Sequence, residues 1–375
     1  MYVLDHAIAM QIVSRTMAIL DYNVNVMNSQ GTILGSGDKQ RIGTVHEAAL
    51  LAITHNRIVE IKQDASDSLM GVKPGINVPL HHHGNIIGVI GITGDVSELK
   101  QYGLLLKMTA EMIVEQANLH ETIQWENRQK EEFILQLIRA DFTLSPQAVA
   151  WAGQLGIDLE TPRVAAIIEI SDGGGSLKEL VHLLQHPERD NLVAMISLNQ
   201  LVILKPAFLD GLNWDPELES RRIDQLLKRL PKALSEHTKV ALGHYFPGLE
   251  GLSHSYQTAQ DTLISGKKFN PEEQKYLFEE YSLQVLLSGM KQTWRGEVLS
   301  SAYQKLLIAD KKGILIKTLS AYMKHFGDLQ SCANSLHIHR NTLRYRLDKI
   351  QRLTQLNIHS LDGLFSLYLG QLITK

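Results

Sequence analysis

Between Ser97 and Ala140 the chain runs for 44 residues without a proline and with a single glycine, Gly103. Apolar residues recur at Leu105, Met108, Met112 and Leu119, a helical spacing of three, four and seven. This pattern predicts a helix over 97–140 that links the segments on its two sides and packs against a partner subunit. Glu115 and Glu126 interrupt a strict heptad, so the run falls short of a coiled coil. A domain-capping helix, or two helices with an unmarked break, is the duller alternative. Either way the rest of the chain folds as separate parts. Its 375 residues correspond to about two and a half domains of ~150 residues. With 44% hydrophobic and 21% charged residues, the parts can bury real cores.

The first part, Met1 to Asp95, opens with apolar residues at helical spacing over 6–20. Two short β-like runs come after it, VNVMN and TILGS, joined through Ser29-Gln30-Gly31 as a hairpin. A short helix is predicted from Val45, with Thr44 and Glu47 as a capping box. A second hairpin comes next, with INVPLHHH (76–83), a turn at His83-Gly84-Asn85, and the run 86–92. This order is that of a small sensory α+β domain whose sheet walls a pocket. The second part, from Ser145-Pro146 to near Phe278, alternates βαββαβα: strands at 163–170, 191–205 (a pair) and 239–246, with helices at 216–230 and 251–266. One sheet with helices packed on it fits that alternation. The third part, 280–375, is entirely helical in pattern, with helices at 314–326, a compact pair at 329–350 and a last apolar helix.

The compact pair carries the strongest short signal, LQSCANSLHIHRNTLRYRLDKIQRLT (329–354). Ala333 and Leu336 suit a close helix crossing, His337-Ile338 forms the joint, and a second helix starts near Ile338 or His339. On it Leu343, Leu347 and Ile350 form a buried stripe. Asn341, Tyr345 and Arg352 point the other way, with Arg344 on the flank. Between 324 and 352 six basic side chains stand against two acidic ones, in a chain of net charge −3. That excess is the footprint of a phosphate-backbone binder, and the two-helix spacing is that of helix-turn-helix docking in a major groove. Arg340, Asn341 and Arg344 are expected at base edges, and Tyr345, Arg346 and Lys349 at phosphates. His339 and Thr342 complete the DNA-binding set. The plainer reading is a solvated basic face.

In the first part the run GSGDKQRIGTVHEAAL (35–50) places Gly35, Gly37 and Gly43 where a tight loop is needed. Arg41 stands before a helix N-terminus, a ready pairing for a carboxylate. His46 can add a hydrogen bond, and Asn77, Thr93 and Gly94 lie on or beside neighbouring strands. An ordinary capped helix with a surface arginine is the alternative.

Ile338 through Ile350 matches IHRNTLxYRLxKI at every fixed position, and so resembles the C-terminal helix-turn-helix of the PucR-like transcriptional regulators. Nearly the whole chain resembles the carbohydrate diacid regulators, the bacterial sugar-diacid activator family. RIGxxHE, with Arg41, Ile42, Gly43 and His46 matching, and GITG at 91–94 are similar to motifs of that family's diacid-recognition domain. The resemblance implies a multidomain α+β chain: a PAS/GAF-like sensory domain with its signalling helix (1–140, helix 97–140), a degenerate cyclase-like α/β middle domain (141–279) and an all-α helix-turn-helix domain (280–375). It implies a ligand such as D-glycerate, glucarate or galactarate, bound by the matching Arg41, Ile42, Gly43 and His46; Thr44, Asn77, Thr93 and Gly94 are the further candidates that the residues themselves offer. Aldarates carry two carboxylates, and a second cationic anchor is not evident; of His81, His82 and His83, His81 and His83 are expected to share a strand face.

Other chemistry finds little support. Asp172-Gly173-Gly174-Gly175 lacks P-loop spacing. The hairpin where a cyclase would carry its acids, around Leu198-Asn199-Gln200, has none, so the two magnesium ions of phosphoryl transfer have no holder. HExxH, GxSxG and paired cysteines are absent, and the one thiol, Cys332, reads as packed. The N-terminus, with Asp5, His6 and Arg15, does not read as a signal peptide, and the apolar run 86–94 is far short of the ~20 residues a membrane span needs. The expectation is a cytoplasmic DNA-binding activator without cofactor, catalytic residues, metal or membrane. Its partners would be an operator duplex, a small hydroxy-acid or diacid and a second copy in a homodimer, with RNA polymerase a further candidate. A cytoplasmic enzyme acting on hydroxy-acids, with the terminal helices as a regulatory appendage, is the alternative, and an architectural DNA-binding protein a third reading.

Overall fold

A computed structural model describes residues 3–63, 72–171, 175–185, 190–210 and 213–374. Asp172, Gly173 and Gly174 of the glycine-rich loop lie outside the described residues. The chain divides into two compact units, 1–128 and 129–375, and each is described by itself.

In the first unit, α1 (His6–Met17) leads into β1 (Val24–Asn28) and β2 (Ile33–Ser36), then α2 (Glu47–His55), β3 (Val59–Ile61), β4 (Gly75–His82) and β5 (Asn85–Thr93). These strands form one antiparallel sheet in the order β2-β1-β5-β4-β3. The alternation of strand side chains divides the sheet into two faces. Val24, Val26, Ile76, Val78, Leu80, Ile90 and Ile92 point to α1 and to the first turns of α3 (Val96–Leu137), forming the larger core. Met27 and Val89 point the other way and meet Ala49 and Ala52 of α2.

The expected hairpins are present, and β3 is an addition: it is three residues long, too short to leave a period in the sequence. Three local expectations need correction. The helix α2 begins at Glu47 rather than Val45, so Glu47 is its first residue and cannot close a capping box. Its N-cap is His46, which makes no side-chain capping bond, while the Thr44 hydroxyl donates to the Arg41 carbonyl at 2.7 Å. Third, His83 does not share a strand face with His81. It sits in the hairpin turn at φ 46, beyond a register shift at Leu80/His81, and its ring packs against that of His82 at 4.2 Å.

The helix α3 is continuous from Val96 to Leu137, which removes the two-helix alternative. Within the first unit Leu99, Leu106, Ala110, Ile113 and Val114 bury its inner face. The predicted stripe Leu105, Met108, Met112 and Leu119 is outward, each residue between 58% and 67% exposed.

In the second unit, α4 (Pro146–Gln154) precedes β6 (Arg163–Ile170), α5 (Gly175–Leu184), the hairpin β7 (Leu192–Ser197) and β8 (Gln200–Pro206), and the short pair β9 (Leu209–Asp210) and β10 (Asn213–Trp214). Then come α6 (Pro216–Arg229), α7 (Lys232–Ser235), β11 (Thr238–Leu242), α8 (Gly251–Phe269) and β12 (Lys275–Leu277). The sheet order is β12-β11-β6-β8-β7. All of β6 is buried, as its unbroken run RVAAIIEI requires when helices cover both faces. The strand predicted over 239–246 ends at Leu242, and β12 adds a parallel edge that the sequence did not announce.

The chain closes with the helices α9 (Phe278–Ser288), α10 (Trp294–Ala309), α11 (Ile314–Lys324), α12 (Leu329–Ser335), α13 (Arg340–Thr354) and α14 (Leu361–Thr374). Tyr303, Leu306, Leu319, Cys332, Leu343, Leu347, Ile350 and Leu367 make the common core of α10–α14, while Tyr281 and Val285 of α9 pack with Ile167, Ala241 and Leu263 of the preceding sheet and helix. No helix among the described residues is long and apolar enough to cross a membrane.

Candidate functional site

The residues expected to be functional from the sequence gather in two places among the described residues, one in each unit. In the first, the segment after β2 turns through a short 3-10 helix, Lys39–Arg41, capped by Asp38, and returns beside the start of β2. Backbone bonds from Gly43 to Ile33 and from His46 to Gly31, and the bridge Thr32↔Val45, fasten the return. Gly43 takes φ +85, a conformation that a side chain would strain. This strap holds Arg41 half-buried and His46 buried at the mouth of α2.

The two side chains sense each other. Burial pushes the His46 pKa down to about 4, and the positive charge of Arg41 adds to that shift. His46 is therefore neutral at pH 7, and its buried Nδ1 has no hydrogen-bond partner among the described residues. Arg41 is itself held below its ordinary range by burial, with Asp38 opposing.

Under α2 the sheet carries a transverse row of small and polar residues. Ser36, Asn25, Gly91 and Asn77 are aligned across β2, β1, β5 and β4 by strand register. Asn25 and Asn77 are 2% and 3% exposed, deeper than amides normally lie without bonds. Asn25 accepts from the Ser36 hydroxyl at 2.7 Å, while the buried Oδ1 of Asn77 has no partner among the described residues. Gly91 leaves the middle of the row open: a Cβ there would lie 2.9 Å from Asn77 Oδ1 and 3.2 Å from Met27 Cε.

The structure thus brings Arg41 and His46 together and sets Asn77 and Thr93 on the sheet face that α2 covers. Ile42 is half-buried, and Gly43 and Thr44 are exposed on the strap. Gly94 is elsewhere, at the joint into α3, where a Cβ would press on Tyr22 and Leu99. Asn25, Ser36 and Gly91 were not singled out from the sequence as site residues. The alternation in VNVMN, which turns Asn25 away from Val24 and Val26, is the signal that could have found them. His81 is engaged by Asn56 at 2.8 Å and lies 3.6 Å from Glu111, so it is no spare anchor.

In the second unit, α12 and α13 form a tight pair. Asp328 caps α12 through Gln330 and Ser331, and the chain turns at His337, φ 52, before α13. The His339 ring caps α13, its Nδ1 accepting from the Asn341 amide at 3.2 Å. This fixes the helix start at Arg340, one or two residues later than expected. Leu343, Leu347 and Ile350 are at most 1% exposed, and each contributes about 1.5–3 kcal/mol by burial. Opposite them His339, Arg340, Asn341, Thr342, Arg344, Tyr345 and Lys349 are all exposed. Arg346 differs: it is half-buried, and its guanidinium donates to the Thr318 hydroxyl of α11 at 3.4 Å.

Residues 4–137 match the putative sugar diacid recognition family, residues 141–263 the GGDEF-like domain and residues 315–373 the PucR C-terminal helix-turn-helix domain. The chain is 40% identical over 374 residues to the carbohydrate diacid regulator of Escherichia coli, covering 98% of this chain and 97% of that one. It belongs to the carbohydrate diacid regulator family. An uncharacterized protein of Haemophilus influenzae is 38% identical over 375 residues, 99% of each chain. A crystal structure of the regulator of polyketide synthase expression from Bifidobacterium adolescentis covers 65% of this chain and 91% of that one, at 17% identity and a TM-score of 0.32.

As a diacid regulator the chain is a transcriptional regulator with a sensory domain in front, a GGDEF-like domain in the middle and a DNA-binding helix-turn-helix at the end. In this regulator the hairpin β7–β8 turns through Leu198 and Asn199 without a carboxylate. The nearby Glu169 is occupied, accepting from Gln200 at 2.6 Å and pairing with Lys267 at 2.5 Å. Among the described residues no group of three or more His, Cys, Asp or Glu could hold a metal ion.

Proposed function

We propose that this regulator activates transcription of genes for the use of sugar diacids and D-glycerate when a small hydroxy-acid occupies the N-terminal domain. The observation that carries the reading is the buried polar row under α2, taken together with the neutral His46 and the cation Arg41 on the strap of the same domain. A carboxylate pairs with Arg41 in a bidentate bond, and Ile42, Gly43 and Thr44 shape the strap around it. Ligand hydroxyls supply hydrogen bonds to Asn77 Oδ1 and His46 Nδ1, with Thr93 further along the same face and Gly94 as the hinge of β5 into α3. Met27, whose thioether ends over Gly91, yields space by rotating about its three flexible bonds.

On this reading residues 1–140 form a PAS/GAF-like sensory domain with its signalling helix, 141–279 a non-catalytic middle domain and 280–375 the DNA-binding domain. The carboxylate-free hairpin and the engaged Glu169 favour a regulator over an enzyme. On DNA, Arg340, Asn341 and Arg344 read bases while Tyr345 and Lys349 contact phosphates; His339 and Thr342 border the contact, and Arg346 braces the helix from Thr318. The protein works in the cytoplasm as a homodimer, because one helix-turn-helix reads too few base pairs for specificity. The exposed stripe Leu105, Met108, Met112 and Leu119 on α3 supports the pairing. Sedimentation of a Met108→Glu, Met112→Glu double variant as a monomer is expected; an unchanged dimer would place the interface elsewhere.

Calorimetric titration of the full-length protein with D-glycerate, glucarate, galactarate and an aliphatic dicarboxylate tests the effector reading. Saturable heat with a hydroxy-acid, absent with the control and lost in Arg41→Ala, is the expected result. Silence across the panel from folded protein would refute it.

A further inference from the structure

The GGDEF-like domain contains a cavity of about 140 Å³ that belongs to neither site above. It lies between the sheet and α6. Its floor is apolar, made by Ile168, Ile203 and Val240 on the three adjacent strands β6, β8 and β11, with Ile223 of α6 opposite. Its charged lining is cationic: Lys205, Arg222 and Arg229 all border the space, joined by the neutral amides of Asn191 and Gln225.

Among the described residues these cations are short of counter-charge. Lys205 is buried and paired with Glu219, itself fully buried. The same carboxylate lies 3.6 Å from Arg222, so one anion serves two cations. Arg222 is held in place by the Pro206 carbonyl and by the Phe208 ring, 4.4 Å from its guanidinium carbon. Arg229, exposed at the mouth, has no ion pair or hydrogen bond among the described residues. Among the described residues Asp190 is taken by Arg163 and Asp224 by Lys275. Asn191 donates to the Leu184 carbonyl, which leaves its buried Oδ1 without a partner among the described residues. Burial lowers the Lys205 pKa even with Glu219 beside it, as expected of a cation whose charge is incompletely balanced.

We infer that this cavity binds a small organic acid, its carboxylate between Arg222 and Arg229 and its short apolar body on the floor of Ile168, Ile203, Ile223 and Val240. The floor decides the class. An inorganic anion would leave the apolar surface uncovered, and a polyhydroxylated diacid would set most of its hydroxyls against isoleucine and valine, with only Asn191 and Gln225 to meet them. The volume sets the size, since an apolar cavity of ~150 Å³ accepts a benzene-sized body. The ligand is thus of a different chemical class from the N-terminal effector.

Benzoate is the probe, titrated calorimetrically into the full-length protein, with benzamide and inorganic phosphate as controls. Saturable binding is expected for benzoate alone, weakened about tenfold by Arg229→Gln through loss of a charge-assisted bond. Ala166→Leu, which extends a side chain into the cavity from β6, should abolish it. Thermal melts report whether each variant is folded, and Arg229→Gln at its exposed position decides the matter if Ala166→Leu is not. Binding of benzamide as tight as that of benzoate, or of phosphate in its place, would overturn the inference. So would an absence of heat at millimolar benzoate, or competitive displacement of benzoate by saturating glucarate or D-glycerate, which would assign the heat to the N-terminal domain.

Discussion

The recognition helix and the sensory sheet use polar residues in opposite ways. On α13 the side chains proposed to meet DNA sit on one 15-residue element and its cap and stand in solvent, while Arg346 turns back to Thr318. In the sensory domain the polar groups are buried, or half-buried for Arg41, and come from separate segments: Asn25 on β1, Ser36 on β2, Asn77 on β4, and Arg41 and His46 on the strap. A DNA-reading surface needs exposed donors on a rigid cylinder, with stability supplied by the stripe behind them. A small-molecule site needs donors already desolvated, so its polar groups bear on stability as well as on binding. Substitutions should therefore separate fold from function on α13 and entangle them under α2.

The largest effect expected lies behind the recognition face. Leu347→Ala removes a fully buried side chain from the helix-turn-helix core and should destabilise that domain by ~2–5 kcal/mol, measured by denaturant unfolding. A cost below ~1 kcal/mol would mean that the stripe is not what holds the face rigid.

Next comes the acid sensitivity of the sensory domain. The His46 pKa falls from 6.5 to about 4 on folding. Above pH 6.5 both states are neutral there and the advantage of burying the ring is intact. As the pH drops from 6.5 towards 4, the unfolded chain takes up a proton that the folded chain refuses, and stability is lost at up to about 1.4 kcal/mol per pH unit. Below pH 4 this loss levels off. Melts of His46→Gln should lack that slope, and an unchanged slope would show that other groups carry it.

The smallest effect sharpens the contrast. Arg344→Ala should cost ~1–3 kcal/mol of operator affinity and change preference at one base position, with unfolding unaltered. Selection from randomised duplexes with no change in preference would move Arg344 to the phosphate-binding set.

The same contrast explains what could be read in advance. Ile338 to Ile350 states its own structure: the spacing of Leu343, Leu347 and Ile350 names the buried side of a helix, and the remaining residues are outward by geometry alone. Even there, Arg346 turned back to Thr318, a contact between residues 28 apart that no period encodes. Strand existence was equally legible where runs were long, as in β6, and illegible where they were three residues long, as in β3 and β12.

For the proposed effector site, Arg41 and His46 stand out because a loop and a helix start lie side by side in sequence. Asn25, Ser36 and Gly91 did not, because their alignment is a matter of strand register across β2, β1 and β5. The cationic cavity of the middle domain is of the same kind, since Lys205, Arg222 and Arg229 meet only when α6 folds over β8. Local periodicity and spacing by themselves determined the longer amphipathic helices, the major strands and the outward side of α13, because those depend on neighbours within a few turns. Burial of polar groups was decided only by the tertiary structure, because desolvation depends on what distant segments place above them.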